Sequence, residues 1–235
     1  MPNSTRLIWP DLLRSLSLLA MASFHFGYDL EALGFNPPLP LWWPDYARVI
    51  AATFLMLVGV SLWLAHGRGR RWRGFWTREA AIVAGAIAVT VVTYIAMPGF
   101  YVYFGILHSI AVCSLLAMAC LRLPAIVTIL LGLLALAMPY LFAMPQMNAP
   151  WLWWIGLSTR WGAAMDFVPV FPWLGWVLVG LGSAKLADAK GLLRRDLPHN
   201  APLQRMTFIG RHSLAFYLIH QPVIYGSLAL IAWMR

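Results

Sequence analysis

The chain is 235 residues long, 61% hydrophobic and only 11% charged, with a formal charge of +9. That composition excludes a soluble globule with a large core and defines a protein that crosses a membrane several times. The positive charge does not mark a nucleic-acid binder, because the basic residues stand beside hydrophobic segments, where membrane topology accounts for them.

The first apolar stretch, Asp11 to Leu30, is long enough to cross a bilayer yet carries Arg14 near its start and His25 and Asp29 near its end. It is too long and too polar for a signal peptide, and no small-residue cleavage site follows it. Further apolar runs predict spans over 47–65, 79–97, 100–121, 124–144, 170–187 and 209–233, which with 12–30 makes seven. The sixth, VFPWLGWVLVGLGSAKLA, is short and glycine-rich. Residues 145–169 form the longest connection, and Trp151, Trp153 and Trp154 place it along the interface. Cys113 and Cys120 share one apolar helix and point to neither a disulfide framework nor a metal site. The fold class is therefore all-α, a polytopic transmembrane helix bundle formed by a single domain over residues 1–235.

Basic residues orient this bundle. With the N-terminus in the cytoplasm, fourteen of the seventeen Lys and Arg residues fall on the inner side. They are Arg6, Arg14, Arg68, Arg70, Arg71, Arg73, Arg78, Arg122, Lys185, Lys190, Arg194, Arg195, Arg205 and Arg211, whereas Arg48, Arg160 and Arg235 fall outside. The expected topology is N-in, C-out, with the HGRGRRWRG segment as its strongest anchor, in contact with membrane lipid.

Several polar groups sit where lipid-facing helices avoid them. His25 and Asp29 are four apart, on one helix face in the outer half of the first span. His108 lies in FGILHSIA, His220 and Gln221 in YLIHQP, and Asp166 just ahead of FVPVFPW. Three intramembrane histidines on three spans define a lined cavity, with Asp29 as the natural orienter of His25 and Asp166 as a second candidate. Pro222 removes a backbone donor beside His220 and frees a carbonyl near Leu218. On the inner side, Arg14, with Asp11 three residues before it, and Arg211 supply guanidinium donors suited to phosphate. No GxGxxG or GxxxxGK[ST] loop accompanies them, so no soluble nucleotide-binding domain is present.

The stretches DLLRSLSLLAMASFHFGYDL, YFGILHSIA, DFVPVFPWLGWVLVGLG and FIGRHSLAFYLIHQPV resemble the signature segments of a bacterial membrane family. That family is grouped with the catalytic domain of heparan-alpha-glucosaminide N-acetyltransferase, within the broader multi-span membrane acyltransferases. The resemblance runs in order from Asp11 to about Val223. It places Asp11 and Arg14 in a D-x-x-R motif, His25 and Asp29 in its H-x-x-x-D continuation and His108 in FGILH. Asp166 then stands in D-x-x-P-x-F-P-W, and Arg211, Ser213, His220 and Gln221 in GRxSLxxYLIHQP. Ser15 stands where the family pattern reads glycine, a small-for-small change, and Val168 and Val170 are plain variants of the pattern.

What the resemblance implies is acyl transfer from acetyl-CoA or another acyl-CoA to an envelope sugar or glycolipid, in the bacterial cytoplasmic (inner) membrane and without a metal. Arg14 and Arg211, with Ser213 and Gln221, would hold the donor. His25, oriented by Asp29 or Asp166, would deprotonate the acceptor, and His108 or His220 would position the carbonyl or share the proton. The same polar interior admits a proton-coupled transporter with an intramembrane histidine relay. It also admits a non-catalytic membrane partner whose histidines only pack the bundle.

Overall fold

The computed structural model describes residues 7–35, 38–69, 72–194 and 200–234. Nine α-helices follow in chain order among them: α1 (Ile8–Ala32), α2 (Trp43–His66), α3 (Trp72–Ala96), α4 (Ile106–Ala119), α5 (Ala125–Phe142), α6 (Val170–Ala189), α7 (Ala201–Met206), α8 (Phe208–Arg211) and α9 (Ser213–Trp233). No strand forms among the described residues; a single isolated bridge joins Phe104 and Phe167. The all-α class is as expected. Five helices, α2, α3, α5, α6 and α9, are long and apolar enough to cross a membrane. Two further predicted spans correspond to α1, 25 residues that include Asp11, Arg14, His25, Asp29 and Glu31, and to the shorter apolar run Ile106–Arg122. Of the basic residues that orient the bundle, Arg6, Arg70, Arg71, Arg195 and Arg235 lie outside the described residues.

Two predicted boundaries are corrected. The fourth helix starts at Ile106 and not at residue 100, because Val102 and Val168 turn their backbone groups to other partners. Val102 N–H bonds the Thr93 hydroxyl at 3.0 Å, its carbonyl accepts from Thr90, and Val168 N–H bonds the Phe104 carbonyl at 3.0 Å. The last span is not one helix from residue 209: α8 stops at Arg211, His212 leaves helical geometry at φ −108°, ψ 34°, and α9 begins at Ser213. α9 then runs through Pro222 without interruption.

The chain divides into two compact units, and the dividing point falls inside α2. One unit takes the chain up to Phe54 together with α7, α8 and α9. In it α1 packs against α7, α8 and α9 through a face that recurs at helical spacing, Ile8, Asp11, Ser15 and Leu18. Close approach depends on Gly210, where any Cβ would run into the Asp11 carbonyl. Gly210 N–H instead donates to the Ser15 hydroxyl at 2.8 Å, and that hydroxyl donates to the Asp11 carbonyl at 3.0 Å. Beyond this contact Leu18, Met21 and Ile50 form a buried apolar cluster covered by Phe24, Tyr46, Phe54, Phe216 and Tyr217. Tyr46 ties α2 to α1 through its hydroxyl, within 2.9 Å of Ser23 Oγ and 3.2 Å of the Ala20 carbonyl.

The other unit, Leu55–Arg194, is built around α6. Its glycines are contact points: a Cβ on Gly59 would meet the Val177 carbonyl, and one on Gly180 the Met56 carbonyl. Gly132 and Gly175 bring α5 onto α6 in the same way, a small-residue interface of the kind lipid-embedded helices use. Lys185 of α6 is buried, although sequence counts it among the orienting surface charges. Its ammonium donates at 2.9 Å to the Cys120 and Leu123 carbonyls and the Thr128 hydroxyl, so it satisfies carbonyls left open where α4 ends. The connection before α6 contains two 3-10 turns, Pro145–Asn148 and Pro150–Ile155. Asn148 organises it by accepting from Ser158 and Thr159 through its side chain.

Candidate functional site

α1 and α9 bring four of the sequence-predicted residues together. His25 and His220 face each other with ring centroids 5.1 Å apart. Phe216 stacks on the His220 ring at 5.9 Å, and Phe24 meets His25 edge-on at 5.4 Å. His220 Nδ1 lies 2.7 Å from the Tyr217 carbonyl. A carbonyl only accepts, so Nδ1 carries the proton and a neutral ring must present a bare lone pair at Nε2. That Nε2 is buried and has no hydrogen-bond partner among the described residues.

The expected pairing of Asp29 with His25 is corrected. Among the described residues no hydrogen bond joins them; the amide of Gln221 bonds both carboxylate oxygens of Asp29, at 3.2 and 3.1 Å. A carboxylate accepts, so the Gln221 NH2 must face it and Oε1 must point elsewhere. Gln221 Oε1 is itself buried, with no donor among the described residues. Adjacent positions on α9 therefore hold two unfilled acceptors, His220 Nε2 and Gln221 Oε1, in a region where an unmade hydrogen bond costs about 1–3 kcal/mol. Sequence reasoning set Gln221 among the donor-binding residues; geometry sets it in the histidine–carboxylate cluster. Trp43 was missed altogether. Its indole lies across Gly27, where a Cβ would approach Trp43 Cζ2 to 2.5 Å, and stacks on Phe24 at 5.6 Å. Trp43 Nε1 is buried with no acceptor among the described residues. The glycine between HF and YDL is the signal that a ring had to fit there.

His108 and Asp166 belong to the other unit, and both are committed to the start of α4. His108 stands at the third helical position, and its Nδ1 accepts the Gly105 N–H at 3.2 Å, the side-chain half of a capping box. Its Nε2 lies 3.3 Å from the Thr90 hydroxyl, which donates on to the Val102 carbonyl at 2.7 Å. With Nδ1 accepting, Nε2 carries the proton, and both ring nitrogens of His108 are occupied. The Asp166 carboxylate accepts the Ile106 N–H at 2.9 Å, one of the donors a helix start leaves open. A side chain at Gly105 would collide with that carboxylate. Burial pushes the Asp166 carboxyl up to about 6, with the Ile106 hydrogen bond pulling the other way.

At the opposite end of α1, Arg14 is already engaged. Its Nη1 bonds Asp11 Oδ1 at 2.7 Å, while Arg211 Nε stands 3.8 Å from Asp11 Oδ2. Asp11 is buried between the two guanidiniums. Arg211 keeps the more open side chain of the pair. Ser213 opens α9 and makes no side-chain hydrogen bond among the described residues.

Such a fold defines a helical membrane protein that gathers His25, Asp29, His220 and Gln221 between α1 and α9. The family model described as heparan-alpha-glucosaminide N-acetyltransferase, catalytic, matches residues 6–222, a range containing every candidate residue above. The chain belongs to that family, a family of membrane acetyltransferases. No curated protein and no solved structure matches it.

Proposed function

We propose that this protein transfers an acyl group, acetyl in the first instance, from acyl-CoA to a hydroxyl or amine of an envelope sugar or glycolipid. Its setting in this reading is the bacterial cytoplasmic membrane, crossed seven times with the N-terminus inside. The observation that carries the reading is the unpartnered Nε2 of His220, held in one tautomer by the Tyr217 carbonyl. A buried imidazole with a bare, oriented lone pair is equipped to take a proton.

In the proposed step the acceptor oxygen or nitrogen bonds the thioester carbonyl carbon as its proton passes to His220 Nε2. The tetrahedral centre collapses with loss of the C–S bond, and the thiolate leaving group recovers the proton from His220. His25, beside the His220 ring, steadies the charge that forms, and Asp29 holds Gln221 so that its Oε1 faces a second donor on the acceptor. Arg211 serves the phosphates of the donor, and Arg14 sets Asp11 against it. His108 and Asp166 enter as the groups that fix the start of α4, not as proton carriers.

The test is transfer of radiolabelled acetyl from acetyl-CoA by the purified protein in lipid nanodiscs, offered membrane glycolipid and sugar fractions. Label moving to one fraction with wild type, and not with His220→Gln, supports the reading. Absence of transfer to every fraction by a folded wild type refutes it, whether or not acetyl-CoA binds.

A further inference from the structure

The corner between α7 and α8 gathers Arg205, Arg211 and His212. An open cavity of about 590 Å3 there is lined by Ala201, Gln204, Arg205, Phe208, Arg211 and His212. That volume lies within the usual range for small-molecule sites. Among the described residues no carboxylate pairs with Arg205, and the one near Arg211 is Asp11, 3.8 Å away and already bonded to Arg14. The scaffold beneath is firm. Asn200 caps α7 through the Leu203 N–H at 3.1 Å, buried Thr207 bonds the Gln204 carbonyl at 2.8 Å, and Gly210 docks α8 on Ser15.

Aromatic groups complete the lining. The His212 ring sits 4.5 Å from the Phe208 ring, and His212 Nδ1 lies 3.0 Å from the Phe208 carbonyl. Nδ1 is therefore the donor, and Nε2 is left free to meet a ligand. Phe208 is 64% exposed, so a face of its ring is open to a flat ligand. Two guanidiniums answer phosphate, and a phenylalanine–histidine pair answers a purine face.

We infer that this cavity binds the phosphorylated adenosine end of the acyl donor, with Arg205 and Arg211 on the phosphates and Phe208 under the base. The inference rests on the acyl-CoA reading above and adds Arg205, Phe208 and His212 to it. A phosphate on a lipid headgroup would meet the same arginines but leave Phe208 without a role.

Equilibrium binding to the whole protein in phosphatidylcholine nanodiscs tests it, with adenosine 3′,5′-bisphosphate and inorganic pyrophosphate as probes. Wild type should bind the bisphosphate saturably, and Arg205→Ala should weaken it by about tenfold, the scale of one charge-assisted contact. Arg205→Lys should recover part of the loss. Phe208→Ala should weaken the bisphosphate and leave pyrophosphate unchanged. Unaltered binding by Arg205→Ala, or no nucleotide binding by a folded wild type, overturns the assignment. So does a bisphosphate signal that Phe208→Ala leaves intact and phosphatidylglycerol in the discs abolishes, which would make the cavity a lipid-headgroup site. Acetyl transfer assayed in the same preparations separates the two ideas. Transfer with Arg205-independent binding removes the cavity alone, whereas Arg205-dependent binding without transfer to any acceptor removes the transferase reading alone.

Discussion

The amide of Gln221 reaches across from α9 to bond both carboxylate oxygens of Asp29 on α1, at 3.2 and 3.1 Å. Asp29 is 2% exposed, so removing the amide leaves a buried carboxylate with no donor. Gln221→Leu should therefore destabilise the protein by about 1–3 kcal/mol, and Gln221→Glu, which sets two carboxyl groups together, by at least as much. Asp29→Asn keeps an acceptor in place and should cost less. Thermal unfolding in detergent ranks the three, and equal losses would mean that the contact carries no weight.

His108 should behave as a structural residue. Both of its nitrogens are engaged, with the Gly105 N–H and the Thr90 hydroxyl. Losing a cap of this kind costs about 0.5–2 kcal/mol. His108→Ala and Thr90→Val should both lower the unfolding temperature while transfer, measured well below it, stays within a few-fold of wild type. A collapse of transfer in a folded His108→Ala would return this residue to the chemistry.

Asp166 gives stability a pH dependence whose sign is fixed. Its carboxyl is pushed from an ordinary 3.8 up to about 6 by burial, so the folded protein holds this proton where the unfolded chain releases it. Its contribution is complete below the lower value and is lost as pH rises through the upper one. Wild type should become less stable relative to Asp166→Asn as pH rises across that interval, with no further change above it. Asparagine can still accept the Ile106 N–H, so the variant should fold. Parallel melting curves at every pH would contradict this.

Ser15 shows how much of the fold was legible and where reading stopped. Sequence marked it as a small residue tolerated where the family pattern has glycine, and packing does require smallness there. What sequence did not carry is the relay from Gly210 N–H through Ser15 Oγ to the Asp11 carbonyl, because its two ends are 199 positions apart in the chain. Ser15→Ala should cost about 1–3 kcal/mol by leaving the Gly210 N–H buried and unpaired, and Gly210→Ala more, because the new Cβ meets backbone. Unfolding of the two variants, compared in one detergent, checks the order.

The candidate site was legible in the same uneven way. Helical spacing placed His25 and Asp29 on one face, and the apolar runs located the long helices, because periodicity and hydropathy are local properties. Partner choice is not local. Asp29 takes Gln221 instead of the histidine one turn away, and His108 is absorbed by the Gly105 turn that hydropathy hid inside an apolar run. The break at His212 escaped for a related reason: FIGRHSLAFYLIHQP reads as one amphipathic run, and only the docking of Gly210 on α1 divides it.

Single-turnover acetyl transfer by wild type, His220→Gln and His108→Gln tests most directly whether His220 Nε2 takes the acceptor's proton. His220→Gln, folded and still binding acetyl-CoA, should lose about 10²- to 10⁴-fold in the transfer step, while His108→Gln stays near wild type. Wild-type transfer by His220→Gln, with its fold intact, would contradict that role.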